Sequence, residues 1–339
     1  MPNLPEYSEN NEFFARELGL YGKKINHEDD QALPENSLIY CNDLDHWKFR
    51  LALSQKSSVC VIIGSNEYYN INKLLPLNEF ESIRCAFIQY LPNEKRISVT
   101  SFASFILRFP QVLSQRAFYG TARLGFQNYR KVSKKRFKVP VYPFPLGYTE
   151  RFARELKDLG ILHAGHDSLF QEKNFSDFSQ RENISFFGQK GSWYRRLMLD
   201  FFARNPNFQM KAYSSFGGFM ESPRTTEYSE FILNSRFVVC PPGNCSSQSF
   251  RYYESIALGA IPVLAETSIQ DWNSFDYWPL NTPWKNLGFV EIWNSLSVLS
   301  REELHELSEE MRKYVLDQIL ITRNLLRACV NNDSQLSGR

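Results

Sequence analysis

Short apolar runs alternate with amphipathic segments along most of the chain, and this alternation predicts parallel α/β sheets. In the first half, apolar runs of strand length occupy residues 37–41, 59–64 and 85–90. The stretches between them, residues 44–55 and 68–75, are predicted to be the helices that connect these strands. The first half of the chain is therefore expected to form one α/β domain.

The same alternation resumes in the second half. Strands are predicted at residues 185–188 and 209–213, and helices at residues 192–204 and 225–233. After residue 300 the pattern changes to one or two amphipathic helices, whose apolar positions repeat at helical spacing. These positions are Leu304, Leu307, Met311, Val315 and Ile319.

Proline and glycine mark a boundary between two predicted domains. Residues 139–147 contain three prolines and one glycine, which is typical of a crossing between domains. A chain of 339 residues also has the length of about two domains. The predicted organisation is a polar surface extension at residues 1–35, a first α/β domain at 36–145, a second at 146–299, and amphipathic helices at 300–330 that cross back to the first domain.

Residues 235–264 predict a complete βαβ unit. Its first strand ends at Cys240, and its helix ends before Gly259, a residue type that suits the position after a helix. Arg251 and Glu254 are three residues apart near the start of this helix, so they share a helix face. Ligands of open α/β sheets bind where strands end, and there a cation and a carboxylate are suited to a diphosphate and a sugar hydroxyl. Without that context the two residues would form an ordinary exposed ion pair.

This unit resembles the donor-binding signature of exostosin-like glycosyltransferases, that is, glycosyltransferase family 47 and its bacterial relatives. The pattern is an apolar strand, a Gly turn, Ser-x-Arg-x-x-Glu and then Gly-x-Ile-Pro-Val. The run from Tyr228 to Phe237 resembles the approach to it, and a weaker block from Arg181 to Gly188 resembles the start of the same domain. The resemblance covers roughly residues 181–290. The residues that match the main pattern are Ser249, Arg251, Glu254, Gly259, Ile261, Pro262 and Val263.

Two α/β domains with a donor motif in the second indicate the GT-B architecture, in which two Rossmann-like parallel-sheet domains face each other across a cleft. The resemblance implies that Arg251 grips the diphosphate of a nucleotide sugar with its two-pronged guanidinium and that Glu254 accepts hydrogen bonds from the ribose diol. Arg195 and Arg196 follow another predicted strand, and they are either further phosphate ligands or surface residues. The other donor-site candidates are Gly188, Gly243, Ser246, Ser247 and Ser249.

The stereochemistry of transfer leaves one trace in the sequence. Many retaining enzymes of this architecture carry a second Glu seven residues before the position of Glu254, where this chain has Ser247. The departure favours an inverting reaction, which needs a general base on the acceptor side. Strand ends of the first domain supply Glu67, which follows a Gly-Ser turn and ranks first, and Asp43, which ranks second. The alternatives are Asp45, His46, His163 and His166.

The sequence indicates neither a metal nor a bound cofactor. Its six cysteines and five histidines show no metal-ligand spacing, and we interpret the cysteines as small buried thiols. Asp43-Leu-Asp45 has the spacing of a magnesium-diphosphate site, but it falls in the domain opposite the donor motif. We therefore expect metal-independent chemistry, with a nucleotide sugar, UDP-sugar first among them, as co-substrate.

Composition and charge exclude several classes of protein. The net charge of +2 argues against binding to nucleic acid, which favours strongly basic domains. No apolar run reaches the roughly 18 residues of a membrane span, and the first residues do not have the pattern of a signal peptide, so a cytoplasmic location is expected. The segment from Arg130 to Lys138 carries six cations in nine residues. It is either a solvated linker or a contact with anionic lipid at the inner face of the membrane.

Together these features predict a glycosyltransferase that moves a sugar from a nucleotide-sugar donor to a glycan or lipid-linked acceptor, as in polysaccharide biosynthesis. The alternatives are a non-catalytic α/β protein that binds nucleotide sugars or glycans, and another activity of the same architecture such as a nucleotide-sugar epimerase.

Overall fold

The structure is a computed structural model that describes residues 11–20, 37–41, 59–63, 77, 81–89, 138–162, 168–171, 178–190, 193–213, 226–241, 249–264 and 289–331. In the first half, helix α1 (Asn11–Leu18) precedes strands β1 (Ser37–Cys41), β2 (Val59–Ile63), β3 (Ile83–Gln89) and β4 (Val141–Phe144). The second half contains α2 (Glu150–Asp158), β5 (Asn183–Gln189), α3 (Trp193–Phe202), β6 (Phe208–Tyr213), α4 (Glu227–Leu233), β7 (Ser235–Cys240), α5 (Phe250–Ala257), β8 (Ile261–Leu264), α6 (Phe289–Leu296) and α7 (Arg301–Asn331). Single turns of 3₁₀ helix occupy Leu169–Gln171 and Phe178–Gln180.

The elements follow the predicted alternation of strands and helices. The predicted strands at 37–41, 59–64 and 85–90 are found as β1, β2 and β3, and the βαβ unit is found as β7, α5 and β8. The helices predicted at 44–55 and 68–75 lie outside the described residues. Both halves are therefore α/β, and both sheets are compatible with a Rossmann-like fold.

The first sheet is parallel and has the order β1-β2-β3-β4. Each described strand is added to the same side of the previous one, so no reversal of strand order occurs among them. Strand β4 contains Pro143 and pairs with β3 through Phe144 and Gln89. Part of the stretch predicted as a crossing between domains, residues 141–144, thus forms a strand of the first sheet. Proline is tolerated here because, among the described strands, β4 has β3 as its one neighbour, which makes it an edge strand of the described sheet.

The second sheet is also parallel, with the order β6-β5-β7-β8. After β5 the chain adds β6 on one side and then returns to add β7 on the other, so the strand order reverses between β5 and β7. Strand β5 pairs with β6 as far as Gln189, but with β7 only as far as Ser185. Beyond Ser185 the described ladder between β5 and β7 ends, at the carboxyl side of the sheet.

Helix α1 belongs to the core, and the prediction of a polar surface extension at residues 1–35 is wrong for residues 11–20. Phe13 and Phe14 are fully buried. Phe13 packs edge-on against Tyr148 at 5.2 Å, and Phe14 against Phe144 at 5.5 Å. Gly147 has a φ of 75°, and a Cβ there would lie 2.3 Å from the ring of Phe13. The missing side chain of Gly147 therefore makes room for α1.

Helix α7 is one continuous helix of 31 residues and contacts elements of both sheets. It packs on α5 and β8, and it also contacts α1 and β2. At its carboxyl end, the guanidinium of Arg84 in β3 donates hydrogen bonds to the carbonyl groups of Cys329 and, at 3.0 Å, Val330. The apolar positions predicted to face the core are buried, namely Leu304, Leu307, Met311, Val315 and Ile319.

Four cysteines are described as free and buried: Cys60, Cys85, Cys240 and Cys329. This agrees with their interpretation as small core residues. Among the helices that the structure describes, none has the length and apolarity needed to cross a membrane.

Candidate functional site

The candidate site lies at the carboxyl end of β5, where the strand order of the second sheet reverses. Open α/β sheets bind ligands in the crevice that forms at such a reversal. Gly188 occupies the next-to-last position of β5 with a φ of 151°. A Cβ at Gly188 would lie 2.4 Å from Nη2 of Arg251. Only glycine therefore allows the Arg251 side chain to cross the strand at this point.

The side chain of Arg251 is held at this strand end by backbone and ring contacts. Its Nε and Nη2 atoms donate to the carbonyl oxygen of Phe187 at 3.2 and 2.9 Å. Its guanidinium carbon also lies 4.9 Å from the centre of the Phe186 ring, within the range of a cation–π contact. The side chain is half-buried. Two hydrogen bonds to one backbone carbonyl group and the contact with the Phe186 ring thus orient the guanidinium. Phe187 does not use its remaining N–H groups.

Arg195 reaches the same strand end from helix α3. Its Nη1 donates to the carbonyl oxygen of Gln189 at 2.7 Å, two residues beyond the carbonyl group that holds Arg251. Arg196, which follows it, is exposed. The structure therefore brings Arg195 and Arg251 to one end of β5, while Arg196 occupies the surface of α3.

Ser249 precedes helix α5 and has the extended backbone that is typical of a capping residue. Its hydroxyl makes no cap bond to the helix. Among the described residues, its buried Oγ has no hydrogen-bond partner. The remaining candidates of this turn, Gly243, Ser246 and Ser247, lie outside the described residues.

Glu254 is not directed into the crevice. It is 2% exposed, and both of its carboxylate oxygens are occupied. Oε1 accepts hydrogen bonds from the backbone N–H and the hydroxyl of Thr149 at 3.0 and 2.7 Å. Oε2 accepts one from the hydroxyl of Tyr228. A contact between Glu254 and a ribose therefore stays a prediction, and it would require these bonds to open.

The surroundings of Glu254 determine its protonation. Burial raises the pKa of Glu254, whereas the hydrogen bonds from Tyr228 and Thr149 and the charge of Arg251 act in the opposite direction. Burial and the charge of Glu254 together raise the pKa of Tyr228 well above its ordinary value. The phenol therefore stays protonated and donates to the carboxylate, as the geometry requires.

Thr149 connects Glu254 to the segment that leaves the first sheet. It is the N-cap of α2, and its hydroxyl oxygen accepts a hydrogen bond from the backbone N–H of Phe152 at 3.2 Å. The same hydroxyl donates to Glu254. One carboxylate in α5 thus fixes the start of α2 and, through Tyr228, the helix α4. Sequence reasoning missed Thr149, although Tyr228 lay in the run that resembles the approach to the motif.

The carboxyl end of α5 is also fixed by side chains. Arg181 is 4% exposed and donates to the carbonyl oxygen of Leu258 at 2.9 Å. The hydroxyl of Ser308 in α7 donates to the carbonyl oxygen of Gly259 at 2.7 Å. A cation at a helix C-terminus also complements the helix dipole. Gly259 has the positive φ of 73° expected after a helix, which confirms its predicted place.

The candidates for the general base are not among the residues that the structure describes. Glu67 and Asp43 lie outside the described residues, as do the alternatives Asp45, His46, His163 and His166. The segment from Arg130 to Lys138 is described only at Lys138, which is exposed. In the part of the chain that is described, no three or more His, Cys, Asp or Glu side chains are grouped so that they could hold a metal ion.

Comparison of the chain with models of known protein families, with curated proteins and with solved structures finds no match. The function is therefore inferred from the geometry of the Arg251 crevice and from the sequence resemblance of residues 181–290.

Proposed function

We propose that the protein is a glycosyltransferase that moves a sugar from a nucleotide-sugar donor to a glycan or lipid-linked acceptor. The observation that carries the proposal is the position of Arg251. Its guanidinium is oriented by the Phe187 carbonyl group at the crevice between β5 and β7. This is the place where an open α/β sheet receives a nucleotide.

The chemistry of the crevice fits a diphosphate leaving group. Departure of a nucleoside diphosphate builds negative charge, and preorganised cations stabilise that charge without a metal. Arg251 can meet a phosphate with two parallel N–H groups, and Arg195 brings a second guanidinium to the same strand end. Since both are already held by backbone carbonyl groups, little side-chain freedom is lost when a donor binds.

The first sheet has the acceptor role in this proposal. In a GT-B arrangement the leaving group is held by the second domain, so the attacking hydroxyl approaches from the first. Glu67 is the preferred general base and Asp43 the second choice, and the reaction is inverting and metal-independent. A lipid-linked acceptor would place the enzyme at the inner face of the membrane, where the cations between Arg130 and Lys138 would contact anionic lipid.

A nucleotide panel tests the proposal. The thermal unfolding of the protein is measured with UDP, GDP, CMP and dTDP, and hydrolysis of the corresponding nucleotide sugars is then followed. A nucleotide at about 100 times its dissociation constant stabilises the protein by roughly 2.7 kcal/mol. Arg251→Ala should fold, lose this stabilisation, and reduce turnover by about a hundredfold. Normal binding and turnover by a folded Arg251→Ala protein would refute the proposal.

A second candidate is a non-catalytic protein that binds a nucleotide sugar. The burial of Glu254 favours it, because the carboxylate that the resemblance assigns to the ribose is occupied by Thr149 and Tyr228. The two functions differ in turnover. Stabilisation by a nucleotide sugar that is never hydrolysed or transferred, in the presence of candidate glycan acceptors, would identify a binding protein.

A further inference from the structure

A polar groove lies at the opposite end of the second sheet from the Arg251 crevice, where β5 and β6 begin. Its volume is about 480 Å³, within the range of small-molecule sites. The sheet contributes Asn183 and Gln209, whose side chains are joined by a hydrogen bond of 3.1 Å from Gln209 Nε2 to Asn183 Oδ1. Both residues belong to the sheet face that carries α4, because Gln209 is the register partner of Ser185, and Ser185 is bonded to Ser235 beneath α4.

Helix α4 forms the other wall of the groove. Glu227, Glu230, Phe231 and Asn234 line it, and their spacing puts them on one side of the helix. The ring of Phe231 packs edge-on against Phe187 in β5 at 5.7 Å, so its position is fixed by the sheet. The wall therefore presents carboxylates and an amide around one half-buried aromatic ring.

The carboxylates of the groove are oriented by partners. Glu227 forms an ion pair with Lys211, and Glu230 accepts a hydrogen bond from the hydroxyl of Thr226 at 2.5 Å. Glu182 pairs with Arg301 at 3.1 Å. An anionic ligand would meet these three carboxylates, so the groove disfavours phosphates and nucleotides. Its amides offer donors and acceptors side by side, and the carboxylates add acceptors.

We propose that this groove binds a neutral saccharide. Vicinal hydroxyl groups donate and accept at once, and amide and carboxylate side chains satisfy both demands. The C–H face of a sugar ring needs an apolar wall, which Phe231 supplies. Because the groove is at the amino ends of the strands, it is separate from the crevice at their carboxyl ends. It would hold a segment of glycan chain independently of any nucleotide.

Oligosaccharide binding by the full chain tests the groove directly. Cellohexaose, xylohexaose and maltohexaose are the probes, and saturation-transfer NMR with titration calorimetry is the readout. At least one probe should bind, and Gln209→Ala should weaken that binding by about tenfold, since it removes one direct hydrogen bond and the partner of Asn183. Glu230→Lys should weaken it as well, because it replaces an acceptor on the α4 wall.

Gln171→Ala is the matched control, because Gln171 is an exposed amide outside the groove. Thermal unfolding confirms that each variant is folded. Failure of all three probes to bind at millimolar concentration overturns the proposal, and so does equal weakening by Gln209→Ala and Gln171→Ala. Nucleotide binding is measured on the same variants. If it is absent while saccharide binding depends on Gln209, the donor-site proposal fails and the groove stands.

Discussion

Gly188→Ala should displace Arg251 from the end of β5. A Cβ at this position would lie 2.4 Å from Arg251 Nη2, which is closer than real Cβ contacts allow. The atom it meets is the end of a long side chain. The collision should therefore be relieved by movement of the guanidinium rather than of the sheet.

Two costs contribute to the expected loss of stability. The φ of 151° at Gly188 is one that residues with a Cβ rarely adopt, which costs on the order of 1–3 kcal/mol. Movement of the guanidinium also breaks its bonds to the Phe187 carbonyl group, and a hydrogen bond from a charged group contributes about 1.5–3 kcal/mol. Gly188→Ala should thus lower the free energy of unfolding by roughly 2.5–6 kcal/mol and weaken nucleotide binding.

A double-mutant cycle separates the two costs. Urea unfolding is measured for the unaltered protein, Gly188→Ala, Arg251→Ala and the double variant. Because removal of the arginine removes the collision, the double variant should be less destabilised than the sum of the single variants by about 1–3 kcal/mol. Gly160→Ala is the control. Gly160 has a φ of 68°, and a Cβ added there would meet no atom within 4 Å, so Gly160→Ala should show backbone strain without coupling to Arg251.

Additive effects of the two substitutions on the free energy of unfolding would refute the predicted collision. If the effects of Gly188→Ala and Arg251→Ala add to within about 0.5 kcal/mol, the guanidinium does not rest against Gly188. The same conclusion would follow if Gly160→Ala coupled to Arg251→Ala as strongly as Gly188→Ala does.

Four further predictions concern stability and chemistry. Burial raises the pKa of Glu17 from 4.5 to about 6, so its contribution to stability is greatest below pH 4.5 and is lost as the pH rises through 6. This amounts to about 2 kcal/mol, and unfolding of Glu17→Gln at several pH values should show a flatter profile if the reasoning holds. Glu254→Gln should lower the free energy of unfolding by about 1–3 kcal/mol, because an amide N–H₂ then faces donors; unchanged urea midpoints would contradict this. Glu67→Ala should bind nucleotide normally and transfer sugar about a hundredfold more slowly, whereas loss of activity only in Asp43→Ala would favour the second choice. Activity should persist in excess EDTA, and its abolition with rescue by magnesium would instead indicate metal ligands among Asp43 and its neighbours.

The sequence was a good guide to the strands because most of them are continuous apolar runs. Ile261–Leu264 is buried at every position, as parallel strands with covered faces are, and the βαβ unit that it completes was predicted from the sequence. Strand β4 was missed because its proline was interpreted as a break. Among the described strands β4 has no second neighbour, so the missing N–H of Pro143 removes no ladder hydrogen bond there, and the sequence pattern alone does not reveal this position in the sheet.

Helix α1 was missed for a different reason. Its two phenylalanines stand in a mainly polar stretch, and Phe13, Phe14, Glu17 and Leu18 are the buried positions. A buried carboxylate within an apolar stripe weakens the helical pattern. Glu17 is tolerated because the hydroxyl of Tyr148 and the backbone N–H of Leu169 bond to it at 3.1 and 2.9 Å. Both partners are more than a hundred positions away along the chain, so no local pattern predicts them.

The candidate site shows the same limit. The sequence placed Arg251 and Gly188 in one site, and the structure brings them into contact. It placed Glu254 in that site as well, because Glu254 is three residues after Arg251, and residues with this spacing lie on the same face of a helix. That face is wide enough for Arg251 to reach β5 while Glu254 turns to Thr149, which is 105 positions away. Tertiary packing, and not the helical spacing, decides whether a side chain on this face is directed to β5 or to Thr149.

The two sheets differ in whether their strand order reverses, which is the feature that locates ligand sites in open α/β sheets. The second sheet reverses its strand order between β5 and β7, so the position of the expected donor crevice follows from the topology. Substitution of Arg251 is enough to test that crevice. The described strands of the first sheet run in one order without a reversal. The general base is therefore assigned by a different argument, namely that in-line attack must come from the wall opposite the leaving group. Variants of Arg251 can confirm the donor crevice without supporting Glu67, and only variants of the first domain test where the acceptor binds.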